Sequence, residues 1–396
     1  MTEAFIPYGQ YWTTPFARWQ GALSHLHSLK FAAHVAKAEL ARRGVALDVL
    51  TSAVLGTTVP QKHAFYGAPW VMGMIGAPDV TGPTLAQACA TSAACVQQAQ
   101  FLVGRDANEV VLVLAADRTS NGPHLYYPAP TGPGGTGDHE DWILGNFRLD
   151  PFARVQMVET AENVARRFGI SRGEQDEVTL MRYAQYASAD ASFRGRTMVA
   201  LDVPDTDFRK TVGRLEADEG IFPTTAEGLA KLKPVIEGGS VTYGTQTHPA
   251  DGNAGMIVTS RQRARDLSAR PEIAIRIRAC GTARVEPAHM PMAPIPAARQ
   301  ALQRAGLEIG QIKAMTSHNP FVVNDIAFAR ETGFDLGRMN QRGCSLVWGH
   351  PQGPTGLRAM IELIETLVDQ GGGLGMFQGC AAGDTAMAVI LEVTGT

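Results

Sequence analysis

Leu40-Ala-Arg-Arg-Gly-Val-Ala-Leu-Asp-Val-Leu50, early in the chain, is echoed near its end by Leu302-Gln-Arg-Ala-Gly-Leu-Glu-Ile-Gly-Gln-Ile312. Each reads as a helix end stopped by glycine with a strand to follow, since glycine takes the left-handed C′ conformation without a Cβ clash. The first belongs to an Ala-rich amphipathic helix predicted over residues 24–43, closed by Gly44 and followed by a β-like run at 49–55. The same shift carries Cys89 onto Pro351, inside Gly349-His-Pro-Gln-Gly-Pro-Thr-Gly356. Both places are small-residue turns leading into apolar helices, expected over 92–103 and 357–367. A duplicated fold would bring a cysteine turn and a histidine turn to a common face. Helix, glycine and strand in succession is also common enough to recur by chance.

The β-branched run at 110–114 suits a strand buried on both faces. Helices alternating with such strands argue for α/β layering. Between the two halves, roughly residues 120–248, the texture changes. Residues 122–137 are rich in Gly and Pro and read as an extended loop, whereas 157–192 read as helices, with Ser171-Arg-Gly-Glu174 as a capping box. Such an insertion is a candidate lid or cofactor-binding subdomain.

At 396 residues the chain is long enough for two or three packed units. A formal net charge of −3 gives no broad electrostatic reason to bind nucleic acid or an anionic membrane. Cys89, Cys95, Cys280, Cys344 and Cys380 form no C-x-x-C, so neither a zinc ribbon nor a disulfide framework is expected. Free thiols, the lack of a basic-then-apolar leader and the lack of about 18 consecutive apolar residues read as a soluble, cytoplasmic protein. There is no G-x-x-x-x-G-K-[ST], H-E-x-x-H or G-x-S-x-G, and the glycines at 371–375 miss the dinucleotide fingerprint.

Cys89, in Gln87-Ala-Cys-Ala-Thr-Ser-Ala-Ala-Cys95, precedes a predicted helix whose N–H groups and dipole favour a thiolate and could stabilise an oxyanion. The plainer reading is a small cysteine packed at a helix start. Cys95, six residues on, is assigned to packing. His350 stands in a rigid turn able to aim an imidazole, although a His-Pro turn can be purely structural. Cys380, in Gln378-Gly-Cys-Ala-Ala-Gly-Asp384, reads as part of a small-residue turn before a strand at 386–391, with packing again the alternative. His318-Asn-Pro-Phe321 follows a strand-like run at 312–316 and could present polar groups at its end.

Taken together, these pieces resemble the thiolase family over nearly the full length. The resemblance is carried by the Cys89 segment, Met157-Val-Glu-Thr-Ala-Glu-Asn-Val-Ala165, Thr225-Ala-Glu-Gly-Leu-Ala-Lys-Leu-Lys-Pro234 with Gly239-Ser-Val-Thr-Tyr-Gly244, and Gly349-His-Pro351 followed by Cys380. It implies a five-layered α/β/α/β/α fold of two similar halves. The first half would span 1–120, completed by about 249–268, and the second 269–396, with a CoA-binding loop domain inserted at 121–248. It also implies coenzyme A as cosubstrate, an acyl-CoA substrate and no metal. In the family's mechanism Cys89 would attack the 3-oxo carbon and His350 would take the thiol proton. Cys380 would protonate the departing enolate, and the N–H groups of Cys89 and Ala382 would form an oxyanion hole. His318 or Asn319 would serve a second oxyanion hole. Met157, Thr247, His248 and Phe321 fall in substrate-binding positions. Assembly into a homodimer or homotetramer is implied, and the need for an auxiliary subunit stays open.

Several positions depart from the family pattern. His318-Asn-Pro-Phe321 replaces Asn-Glu-Ala-Phe or His-Glu-Ala-Phe, Ala-Ala-Gly follows Cys380 in place of a glycine run, and Thr247-His-Pro249 replaces a small Ser-Gly. These changes point to a substituted or ring-bearing 3-oxoacyl-CoA rather than acetoacetyl-CoA. Arg209, Lys210, Arg214, Lys231 and Lys233 are candidate phosphate contacts, though most would serve equally as a solvated basic face, and Phe222 stands where relatives often carry Arg. Two other readings remain: a decarboxylating or condensing 3-oxoacyl synthase of the same fold, and a silent acyl-CoA-binding subunit.

Overall fold

In the computed structural model, which describes residues 2–396, the strand Val110–Arg118 faces two different cores. Val111, Val113 and Ala115 enter one apolar cluster, and Val110, Leu112, Leu114 and Ala116 enter another, as the two-residue period of a strand requires. The strand Gly373–Ala381 repeats the pattern, with Phe377 and Ala381 facing the first cluster and Met376 a third.

Pairing makes the duplication explicit. In the first half Ser52–Gly56 runs parallel to Val110–Arg118, which pairs antiparallel with Ala250–Ser260, and that strand with Ala4–Pro7. In the second half Ile312–His318 runs parallel to Gly373–Ala381, which pairs antiparallel with Thr385–Thr394, and that strand with Ala274–Arg284. The halves join where Phe5 and Ile6 pair with Arg276 and Ile275. The helices Thr91–Arg105 and Pro354–Asp369 lie between the half-sheets, sending Ala93, Val96, Leu357 and Ile361 into the shared cluster. Ser28–Arg42 and Gly67–Ile75 cover the outer face of the first half, and Pro294–Ala305 and Val322–Thr332 that of the second. The result is the five-layered architecture expected from the sequence.

Local differences have simple causes. The first helix starts at Ser28 rather than residue 24, and Gly44 closes it with φ +70°. The segment 122–137 is not a bare loop, because His124–Tyr127 pairs with Asp138–Asp141 as a hairpin. Ser171 accepts the Glu174 N–H at 3.2 Å, but the reciprocal capping box is made one helix earlier by Gln156 and Glu159. Cys380 sits in the strand Gly373–Ala381, not in the turn after it.

The segment between Arg118 and Ala250 carries the helices Met157–Phe168, Arg172–Ser188 and Ala191–Thr197 and the hairpin Leu201–Pro204/Thr211–Leu215. Its Val158, Ala161 and Val164 share a cluster with Val322, Cys344 and Cys380 of the second half. A fully buried ion pair fastens it there: Arg182 donates to Asp325 at 2.9 Å and to the carbonyls of Leu336 and Met339 at 3.0 Å. Among the described residues no helix is long and apolar enough to cross a membrane.

Candidate active site

The two central helices point their N-termini at one spot, and the turns leading into them carry the reactive groups. Ala88 holds φ +43°, a left-handed conformation costly for a residue with a Cβ. Thr91 stabilises it by donating to the Ala88 carbonyl at 2.7 Å and accepting the Gln87 N–H at 2.8 Å. The small residues are needed where the helices touch: Ser92 donates to the Gly353 carbonyl, and a Cβ on Gly356 would lie 2.9 Å from that of Ser92. The opposite turn passes through Gly349 at φ +89°, where a Cβ would meet the His248 ring at 2.7 Å and Ala250 at 2.9 Å. The His350 N–H then donates to the His248 carbonyl at 2.8 Å.

This architecture brings His350 Nε2 to 3.1 Å from Cys89 Sγ, while Nδ1 is held 2.6 Å from Thr355 Oγ1. The Ala382 N–H also points at Cys89 Sγ. The His318 ring, at the end of the strand Ile312–His318, stacks on His350 with centroids 4.0 Å apart. Its Nδ1 lies 2.9 Å from Ser345 Oγ, and its buried Nε2 has no partner. Asn324 Nδ2 donates to Cys380 Sγ at 3.1 Å. Sulfur and imidazole nitrogens of Cys89, His318 and His350 lie within 4.8 Å of one another, a spacing that could hold a metal ion.

Burial controls the charges. It pushes the Cys89 thiol up to about 12, outweighing the N–H groups of Ala382 and Cys89 itself, which favour the anion. It pushes His350 down to about 3, and burial with the neighbouring His350 lowers His318 as well. Burial and the neighbouring Cys89 raise Cys380. The backbone N–H groups thus favour a thiolate, as the sequence suggested, and burial opposes it more strongly. Cys89 lies just before the helix, half-buried, and burial favours the uncharged form of both the thiol and the His350 imidazole.

The family description "Thiolase, N-terminal domain" matches residues 11–262, and "Thiolase, C-terminal domain" matches residues 271–393. The chain belongs to the thiolase family. An acetyl-CoA acetyltransferase of Allochromatium vinosum is 26% identical over 379 residues, spanning 94% of this chain and 95% of the relative. A beta-ketothiolase of Cupriavidus necator is 28% identical over 386 residues, spanning 96% of each. Among solved structures, an acetyl-CoA acetyltransferase of Bacillus anthracis superposes with a TM-score of 0.91 at 27% identity, covering 99% of both chains. Human mitochondrial 3-ketoacyl-CoA thiolase in complex with CoA superposes with a TM-score of 0.88 at 26% identity, covering 99% of this chain and 98% of that one. As a thiolase, the chain is an acyltransferase.

The remaining candidates fall at different distances from Cys89. Asn319 is committed elsewhere: its Nδ2 donates to Asp325 at 2.8 Å, and its Oδ1 accepts from Ser345 and the Leu346 N–H at 3.1 Å. His318, not Asn319, faces the pair. Met157 opens its helix half-buried against the cluster that holds Cys380 and Phe321. Thr247 donates to the Ser345 carbonyl at 2.5 Å, and the half-buried His248 packs on Gly349 and Gly220. Phe321 is buried and bridges Gln246. Arg209, Lys210, Lys231 and Lys233 are exposed, whereas Arg214 is paired with Asp202 and Glu216. Cys95, Cys280 and Cys344 are buried. Sequence reasoning did not single out Thr355, Asn324, Ser345 or Gln352, whose Oε1 lies 3.3 Å from Cys89 Sγ. Thr355 and Gln352 stood inside the quoted histidine turn, and that adjacency was the available signal.

Proposed function

We propose that this thiolase catalyses CoA-dependent cleavage of a 3-oxoacyl-CoA, or the reverse Claisen condensation, through an acyl group carried on Cys89. The observation that carries the reading is the Cys89–His350 thiol–imidazole pair at 3.1 Å with a second thiol, Cys380, beside it. His350 takes the Cys89 proton as sulfur bonds to the 3-oxo carbon, with Thr355 orienting the imidazole. The resulting oxyanion meets His318 Nε2, directly or through a water. Collapse breaks the C2–C3 bond, and the acetyl-CoA enolate takes its proton from Cys380. The N–H groups of Cys89 and Ala382 then polarise the thioester carbonyl for attack by CoA. Splitting one difficult C–C cleavage into acylation and thiolysis is what covalent catalysis achieves.

In this reading residues 121–248 form the CoA-binding insertion between the halves 1–120 (with 249–268) and 269–396, and the protein works in a reducing, cytoplasmic setting without a metal. Met157, Thr247, His248 and Phe321 line the path to the sulfur. A homo-oligomer formed at the first-half sheet edge suits the short edge strand Thr84–Leu85. The half-buried His248 against the histidine turn supports a substituted or ring-bearing acyl group. A condensing synthase is the second reading, favoured by His318 stacked on His350; Cys380 held by Asn324 weighs against it.

Turnover of a panel of 3-oxoacyl-CoAs, with and without free CoA, tests these points together. CoA-dependent cleavage is expected, with bulkier substrates ahead of acetoacetyl-CoA. Acetoacetyl-CoA proving clearly best would overturn the substrate class, and acylation without CoA-dependent cleavage would favour the synthase.

A further inference from the structure

A third side chain touches the reacting sulfur. Gln352 follows His350 by two residues, is buried, and places Oε1 3.3 Å from Cys89 Sγ. Its position is fixed by the backbone, which is left-handed there at φ +66° and clamped on the following side. The Gly353 N–H donates to Asp117 at 2.8 Å, and the Thr355 N–H donates to the Gln352 carbonyl at 3.2 Å. Asp117 in turn collects the N–H groups of Thr58 and Val59 and the hydroxyls of Thr57 and Thr58, all within 2.9 Å. The amide is therefore held at the sulfur by a built turn.

The need for it appears when the proton moves. In the resting site the Cys89 S–H can be accepted by His350 Nε2 or by Gln352 Oε1. During acylation the S–H bond breaks and its proton goes to His350 Nε2. The sulfur pair forms the bond to the 3-oxo carbon, and the carbonyl π pair moves onto oxygen. The imidazolium Nδ1–H keeps Thr355 Oγ1 as its acceptor. The Nε2–H now faces the two-coordinate sulfur of the tetrahedral adduct, and of the thioester once C2–C3 breaks, in either case a poor acceptor. In a buried site an ionic donor without a partner is costly.

We infer that Gln352 is a further catalytic residue of the acylation step, its Oε1 accepting the Nε2–H of the His350 imidazolium that the acyl transfer creates. Burial opposes that imidazolium, and hydrogen bonding to Gln352 favours it. The other titratable groups around the pair, His318, Cys380 and Asp117, are all buried, so no exposed charge substitutes for the amide. The inference rests on the Cys89 acyl-enzyme reading, and its test separates the two.

Gln352→Met and Gln352→Glu in the full-length protein share the same backbone conformation and differ in whether an acceptor oxygen remains. Two rates are read: single-turnover acylation by the best 3-oxoacyl-CoA, and alkylation of Cys89 by iodoacetamide from about pH 6 to about pH 10. Gln352→Met should slow acylation about tenfold with KM nearly unchanged, as loss of a hydrogen bond to a charged group requires. It should slow alkylation near neutrality by a similar factor, with the gap closing toward pH 10 as hydroxide takes the proton. Gln352→Glu should stay within about threefold of the unaltered protein, since an acceptor remains. Wild-type rates in Gln352→Met, slowing that is equal at every pH, or a loss in Gln352→Glu as large as in Gln352→Met would each overturn the assignment. If no 3-oxoacyl-CoA acylates the unaltered protein, the acyl-enzyme reading fails, and the alkylation profile alone decides the role of Gln352.

Discussion

The cysteine turn and the histidine turn occupy equivalent places in the two halves, yet they are built to different standards of burial. The helix after Cys89, Thr91–Arg105, buries seven of its 15 residues, whereas the helix after His350, Pro354–Asp369, buries 14 of its 16. Both turns hold a non-glycine residue in the left-handed region, Ala88 before Cys89 and Gln352 after His350. Such strain persists only where surrounding contacts over-determine it. Around Ala88 those contacts are local, made by Thr91; around Gln352 they cross the molecule to Asp117. One half therefore offers Cys89 before a partly open helix, and the other offers His350 at the packed centre. Duplication supplied two similar turns, and their surroundings gave them different chemistry.

If the two turns form one device, Cys89→Ala and His350→Ala should each lower kcat by on the order of 10⁴-fold, and the double variant should lose little more. Losses that multiply would mean that the turns act independently, breaking the comparison. Cys380→Ala should lower 3-oxoacyl-CoA cleavage by about 10²–10⁴-fold, the range of a lost general acid. It should leave iodoacetamide alkylation of Cys89 near its original rate; a matching loss of alkylation would place Cys380 within the nucleophile's own support.

The next test concerns what holds the histidine half together. Arg182→Met leaves the buried Asp325 without its cation and should cost about 3–5 kcal/mol in urea unfolding. A change below about 1 kcal/mol would detach the insertion from the packing of the second half. The last effect is graded, and comes from pH. His318 and His350 are both lowered by burial, so the unfolded chain binds protons that the folded one refuses. Stability should be intact above the ordinary histidine value and fall as pH drops below about 6.5, by up to about 1.4 kcal/mol per unit for each histidine. His350→Asn should reduce that slope, and a slope unchanged by the substitution would return His350 to ordinary solvation.

The fold was legible because its signals are local. Gly44 and Gly306 close their helices with φ +70° and +65°, and runs such as 110–114 show burial on both faces within a few residues. The cysteine and histidine turns were legible for the same reason, as strings of small residues around one thiol and one imidazole. What escaped notice depends on distant parts of the chain. Asn324 reaches Cys380 across 56 positions, and Gln352 reaches Cys89 across 263. The upward push on the Cys89 thiol escaped too, because a helix start is visible in sequence while desolvation around the sulfur is not. His318 and Asn319, equivalent on paper, are separated by strand alternation: one ring stacks on His350, and the other side chain is consumed by Asp325, Ser345 and Leu346.

The most direct test of the account is the mass of Cys89 after brief exposure of the purified protein to a 3-oxoacyl-CoA, measured before and after addition of free CoA. The account predicts an acyl adduct on Cys89 that disappears when CoA is added, with acyl-CoA and acetyl-CoA as the products. An unmodified Cys89, or an adduct indifferent to CoA, would contradict it.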